Sequence, residues 1–189
     1  MPPARTRSLA LALGVLLALS PAAPLRADAL PEGFTQTAVV AGLTGATAME
    51  VAPDGRVFVC EQTGALRVVK DDKLLPEPFV TVRVDSSWER GLLGVALGPH
   101  FADDGFVYLC YICPAPYPHH RVSRFTARGD RAVPGSEVVL FEGDDQEKLG
   151  GGVKNGHQGG ALHFGKDGKL YLAIGDQTAG APAQDMKSL

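Results

Sequence analysis

The chain has 189 residues, 45% of them hydrophobic, with 23 Gly, 14 Pro and a formal net charge of -3. That length holds one sizeable domain, and so much Gly and Pro favours short strands and turns over long helices. The small negative charge, without a basic run, excludes an electrostatic grip on nucleic acid or on an anionic surface and leaves small neutral substrates open.

Residues 1–29 read as a secretory signal. Arg5 and Arg7 precede an apolar run over 9–19, followed by Ser20-Pro21 and a small-residue site at Ala27-Asp28-Ala29, with cleavage expected after Ala29. The run is too short to span a membrane comfortably. Residues 30–189 are then the mature domain, without a stable membrane span, in a periplasmic or secreted setting; an uncleaved anchor would leave the domain on the same side.

Strand candidates follow at 36–40, 46–51, 65–70, 79–84, 92–97, 120–126 and 137–141. Three further phrases repeat one another: PDGRVFVCEQ from Pro53, DDGFVYLCYI from Asp103 and KDGKLYLAIGD from Lys166, each an Asp-Gly turn launching an alternating apolar strand. Their turn residues Asp54, Asp104 and Asp167 are 50 and 63 residues apart. Common propeller blades repeat at roughly 40 to 50 residues, and loop insertions account for the excess. No helical stripe of useful length follows the signal, so the class is all-β, a β-propeller ahead of a sandwich.

Several residues invite chemistry and have plainer readings. Cys60 and Cys110 hold the same place in VFVC and VYLC, where the third phrase has Ala173, which makes them small buried residues with a disulfide left open. Cys110 and Cys113 have redox or haem spacing, but Pro114 stands where haem attachment needs His, and the pair ends a strand pattern instead of starting a helix. Adjacent His119 and His120 would face opposite ways on a strand and could not chelate one ion, so a loop end is expected there. His100 reads as turn chemistry and His163 as a sheet-face residue. The acidic group Glu142, Asp144, Asp145 and Glu147 lacks a full EF-hand pattern and reads as a solvated loop, so no metal ligands are assigned.

The stretch GHQGGALHFGKDGKLYLAIGDQ, from Gly156, carries the sharpest signal. Apolar runs at 161–164 and 170–175 flank a Gly165-Lys166-Asp167-Gly168 turn, which predicts a hairpin. The midpoint of 157 and 176 falls between Lys166 and Asp167, so unslipped antiparallel pairing sets His157 opposite Asp176. An imidazole and a carboxylate so placed share a hydrogen bond that fixes the ring tautomer and raises its basicity, the makings of a general base. Gly156, Gly159 and Gly160 would let a flat ligand approach the backbone beside His157. A single bulge would move Asp176 to the other face.

The ordered set GFTQTAVVAGLTGATAMEVAPDGRVFVCEQTGALRVVKDDKLL, ERGLLGVALGPHFADDGFVYLCYI, RVSRF and GHQGGALHFGKDGKLYLAIGD resembles the amino-terminal half of the glucose/sorbosone dehydrogenase family, soluble quinoproteins with a six-bladed propeller. The resemblance covers the chain from about Gly33 and implies about three blades here. It implies oxidation of an aldose at its anomeric carbon to a lactone, with pyrroloquinoline quinone (PQQ) as hydride acceptor, and casts His157 as the base and Asp176 as its partner. Glu89 stands where glucose-oxidising members carry a sugar-facing Gln, and Trp88 beside it is either an apolar wall for a sugar ring or a blade-core residue. The family's quinone-binding cations, catalytic Arg and calcium ligands come from later blades, so this chain is expected to be a fragment truncated at its C-terminus and inactive alone. The downstream electron acceptor is not specified. The segment ERGLLG also resembles hedgehog-interacting proteins, which use this propeller for binding, and a calcium-dependent lactonase is a further propeller alternative.

Overall fold

The computed structural model describes residues 30–149 and 155–187. The expected signal at 1–29 lies outside the described residues. Contacts divide the chain into two units, 1–37 and 38–189. The described part of the first holds a turn in which Phe34 N donates to Pro31 O at 3.1 Å, with Gly33 at a φ of 83°. No strand forms over 36–40, although its Val-rich pattern suggested one.

The second unit begins with β1 (Ala46–Val51), β2 (Val57–Glu61), β3 (Ala65–Lys70), β4 (Lys73–Leu74) and β5 (Val80–Thr81). They form an antiparallel sheet in the order β1-β2-β3-β4, with β5 also pairing β3. The strand expected over 79–84 is thus only two residues long, because Phe79 and Val82 turn into the core on either side of it. The next sheet contains β6 (Leu92–Leu97), β7 (Phe106–Cys113), β8 (His119–Arg128), β9 (Arg131–Ala132) and β10 (Val138–Glu142), in the order β10-β8-β7-β6 with β9 on β8. A one-turn helix α1 (Phe101–Asp104) links β6 to β7; His100, expected in a turn, stands at its N-terminus, and Gly105 closes it at a φ of 64°. A third sheet pairs β11 (Gly159–Phe164) with β12 (Leu170–Ile174), and a short 3-10 turn covers Ala181–Gln184.

This is a partial β-propeller: two complete blades and the first hairpin of a third among the described residues. The first strand of each blade lies against the first strand of the next, with β6 between β1 and β11. Each Asp-Gly phrase launches the second strand of its blade, β2, β7 and β12, which explains the repeat seen in the sequence.

The main core lies between the first two blades. Phe58 meets Phe79 and Phe101 edge-on at 5.4 and 5.8 Å, surrounded by Leu66, Val68, Leu92, Val107 and Leu109. A second cluster of Ala96, Cys110, Val122 and Leu162 joins the second blade to the third. Full burial of each large apolar side chain contributes about 1.5 to 3 kcal/mol. The three cysteines are buried and free, so the disulfide left open by the sequence does not form. Burial pushes the Cys110 thiol up to about 12, which keeps it protonated and inert.

Candidate functional site

The β11–β12 hairpin closes through a three-residue loop. Gly165 N donates to Lys169 O at 2.9 Å, and Gly168 takes the left-handed conformation, with a φ of 74°, that ends such a loop. The strands therefore pair Phe164 with Leu170 and Leu162 with Leu172, one residue off the register that would place His157 opposite Asp176. A bulge between Gly159 and Ala161 takes up that residue and leaves Gly159 opposite Ile174. The disruption that threatened the pairing is thus what creates it.

His157 Nδ1 lies 2.9 Å from Asp176 Oδ1. The same oxygen accepts Thr178 N–H at 2.9 Å, so the carboxylate is fixed from its own backbone as well. A carboxylate only accepts, so Nδ1 carries the proton and Nε2 is left with its lone pair. The hydrogen bond from His157 and that from the Thr178 amide hold Asp176 below its ordinary carboxylate range. The imidazole is 63% exposed and the Asp176 carboxyl 30%, so the pair stands open to an incoming molecule. A cavity of about 530 Å³ adjoins Asp176, lined among others by Phe141, Leu172, Ile174 and Gln177.

Behind the pair is a buried polar network that sequence reasoning missed. Gln158, fully buried next to exposed His157, donates from Nε2 to Gly156 O at 3.1 Å. Its carbonyl accepts from His120 Nε2 at 2.9 Å, and its Oε1 accepts from Gln146 Nε2 at 2.9 Å. Gln146 Nε2 also lies 3.2 Å from His120 Nδ1, so the ring is neutral, with its proton on Nε2. Burial pushes the His120 imidazole down to about 4, although the bond to Gln158 O opposes this. His119 and His120 are the first residues of β8, not a loop end; His119 turns the other way, to Tyr117 O at 2.8 Å and to Glu142. Of the acidic group, Glu142, Asp144 and Glu147 are exposed, as the solvated-loop reading expects, although Glu142 ends β10. Glu142 pairs with Arg121, Glu147 with the buried Arg90 at 3.4 Å, and Gln146 sits fully buried among them. No sequence signal pointed to this network, because His157 and Gln158 precede β11 and strand alternation does not reach them.

Glu89 reaches the site by a different route from the one expected of it. Its Oε2 accepts the His157 backbone N–H at 2.5 Å, and its own N–H donates to Asn155 O at 3.3 Å. Trp88 is 70% exposed, which rules out the blade-core alternative. It has a left-handed φ of 57°, and its carbonyl accepts Gln62 Nε2 at 2.6 Å; the same nitrogen donates to Arg90 O at 2.9 Å. Gly159 and Gly160 do not open a path for a ligand. A Cβ at Gly160 would lie 2.6 Å from Leu93 Cβ, and one at Gly159 would lie 2.8 Å from Gly175 N, so the chain itself fills the space. Among the described residues no group of three or more His, Cys, Asp or Glu could hold a metal ion, and no helix is long and apolar enough to cross a membrane.

The family described as Glucose / Sorbosone dehydrogenase matches residues 43–189. Quinoprotein glucose dehydrogenase B of Acinetobacter calcoaceticus is 26% identical over 80% of this chain and 32% of its own length. Hedgehog-interacting protein of Mus musculus is 27% identical over 73% of this chain and 21% of its own. Among solved structures, an oxidoreductase described as a glucose dehydrogenase from Thermus thermophilus superposes with a TM-score of 0.70 and 30% identity, over 80% of this chain and 43% of that one. The PQQ-bound aldose sugar dehydrogenase of Streptomyces coelicolor gives 0.68 and 27%, over 80% and 44%. The chain spans about a third or less of the curated relatives it matches.

Proposed function

The chain belongs to the glucose/sorbosone dehydrogenase family, and from that kinship we propose that it carries the proton-removing half of a sugar dehydrogenase site, acting on an aldose at its anomeric carbon. The observation that carries this reading is the His157–Asp176 pair, hydrogen-bonded at 2.9 Å through Nδ1, with the imidazole 63% exposed. Nε2 takes the proton of the anomeric hydroxyl as the C1–H bond breaks, Asp176 stabilises the imidazolium that results, and the sugar leaves as the lactone. A quinone of the PQQ class, the group borne by the Streptomyces coelicolor relative, would supply the acceptor for the hydride that leaves C1.

Seating that quinone needs Arg or Lys groups converging on its three carboxylates. The side chains gathered around His157 are Asp176 and Glu89, and the described residues by themselves do not fit the group. In this proposal the quinone's anchors and any calcium ligands lie outside the described residues, and the protein is exported by the segment before residue 30. Trp88, exposed beside Glu89, offers its face to the sugar ring.

The test is dye-coupled aldose oxidation, with PQQ and calcium supplied, by a complete propeller that contains this chain. His157→Ala is expected to lower kcat about a hundredfold or more while quinone binding persists. Equal turnover in the variant would overturn the assignment. A second reading rests on the likeness to the hedgehog-interacting protein: a propeller that binds a partner without redox chemistry. Quinone-independent partner binding with no sugar oxidation would favour it, and lactone hydrolysis without a dye would point to a lactonase.

A further inference from the structure

We propose that Glu89 is a positioning residue that holds His157 in its left-handed conformation and thereby aims the imidazole. The inference rests on His157 being the base. His157 has a φ of 51°, a region that an ordinary L-residue enters only when its surroundings impose it. Four contacts impose it here. The N–H is held by Glu89 Oε2 at 2.5 Å, the ring by Asp176 at 2.9 Å, the carbonyl by Gln177 N at 3.3 Å, and the next residue by the buried His120–Gln146–Gln158 network. Only the first comes from the loop between the blades.

That loop is itself braced. Trp88 is left-handed, Gln62 of the first blade binds the carbonyls on both sides of Glu89, and Gly91 has a φ of 146° where any Cβ would overlap Gln62 O. Glu89 N–H is directed at Asn155 O, so the two loops are joined by two bonds of opposite sense. A carboxylate that accepts an amide makes a charge-assisted bond, stronger than its neutral equivalent. Without it, rotation of the 156–157 peptide toward negative φ is opposed only by the contacts to Asp176, Gln177 and the buried network, and that rotation would carry the ring off Asp176. A Gln at this place would retain an acceptor oxygen, so the bond to the His157 amide would survive Glu89→Gln.

The experiment uses the 15N-labelled full chain and compares wild type, Glu89→Gln and Glu89→Ala. The His157 amide in wild type and in Glu89→Gln is expected downfield, with hydrogen exchange slowed about tenfold or more relative to Glu89→Ala. In Glu89→Ala the Nδ1 proton signal shared with Asp176 should also broaden, and in a complete propeller that contains this chain aldose turnover should fall through kcat about tenfold with KM little changed. An unchanged His157 amide and Nδ1 signal in Glu89→Ala would overturn the inference. If those signals respond as expected but His157→Ala leaves sugar oxidation intact, the catalytic reading fails and the positioning of His157 stands.

Discussion

His120 is the residue whose environment departs furthest from water. Its ring is buried, receives Gln146 on one side and gives its proton to Gln158 O on the other, and titrates at about 4 instead of 6.5. A depressed histidine pKa means that, between these two values, the unfolded chain binds a proton that the folded one refuses. The contribution to stability is therefore complete above pH 6.5 and falls as the pH drops toward 4, by on the order of 3 kcal/mol. Urea midpoints measured across that window should show the fall, and His120→Gln should flatten it. Asp176 behaves in the opposite sense to a buried neutral base. Held below its ordinary range, it stays ionised until the solution is more acidic than a free carboxylate requires, so its hydrogen bond to His157 persists through the window in which the His120 network is lost.

At the scale of elements, the bulge after Gly159 decides the site. An Asp-Gly turn reads clearly from sequence because its chemistry is local, and the hairpin, the turn-strand repeats and the blade edges were all legible for that reason. The register was not, because it depends on how β11 packs on β6. Gly94 of β6 and Gly160 of β11 cross so closely that a Cβ on Gly94 would overlap Gly160 O, and the extra residue of the bulge lies at this crossing. The glycines beside His157 looked like room for a ligand for the same reason: sequence shows a missing side chain but not what occupies the gap. Gly94→Ala should cost about 2 kcal/mol or more by overpacking, read as a lower denaturation midpoint. Gly175→Ala should act on the site more than on stability, because its Cβ would overlap His157 O and push that backbone out of place. The buried Gln146 escaped detection because it sits in an acidic run, and burial there is set by β8 and the 155–158 segment, which are remote in sequence.

Across the whole molecule, the blades are fastened by polar as well as apolar contacts. Arg56, on the turn before β2, pairs with Asp54 at 2.8 Å, crosses to Asp130 at 3.0 Å and Gly129 O at 2.7 Å, and lies 5.4 and 5.6 Å from the ring centres of Phe58 and Phe101. Lys70 meets the same Asp130 at 3.1 Å. Nearer the propeller axis, Thr47 Oγ1 of the first blade donates to Leu92 O of the second at 2.6 Å. Arg56→Ala removes a guanidinium shared by two carboxylates and two rings, and should destabilise by about 1 to 3 kcal/mol. Arg56→Lys should recover only part of that in a melting experiment, since an ammonium keeps the charge but not the planar stack.

The two loops that meet at His157 are separated by more than sixty residues of chain, with the second blade complete between them. During synthesis each blade can zip from its own hairpins as it leaves the ribosome, because its pairings are local. Glu89 then emerges early and waits, its carboxylate in water, until Asn155 and His157 arrive. The corner that holds His157 is therefore among the last parts of this chain to be assembled, and a nascent chain halted before residue 155 would carry two finished blades and no His157–Asp176 pair.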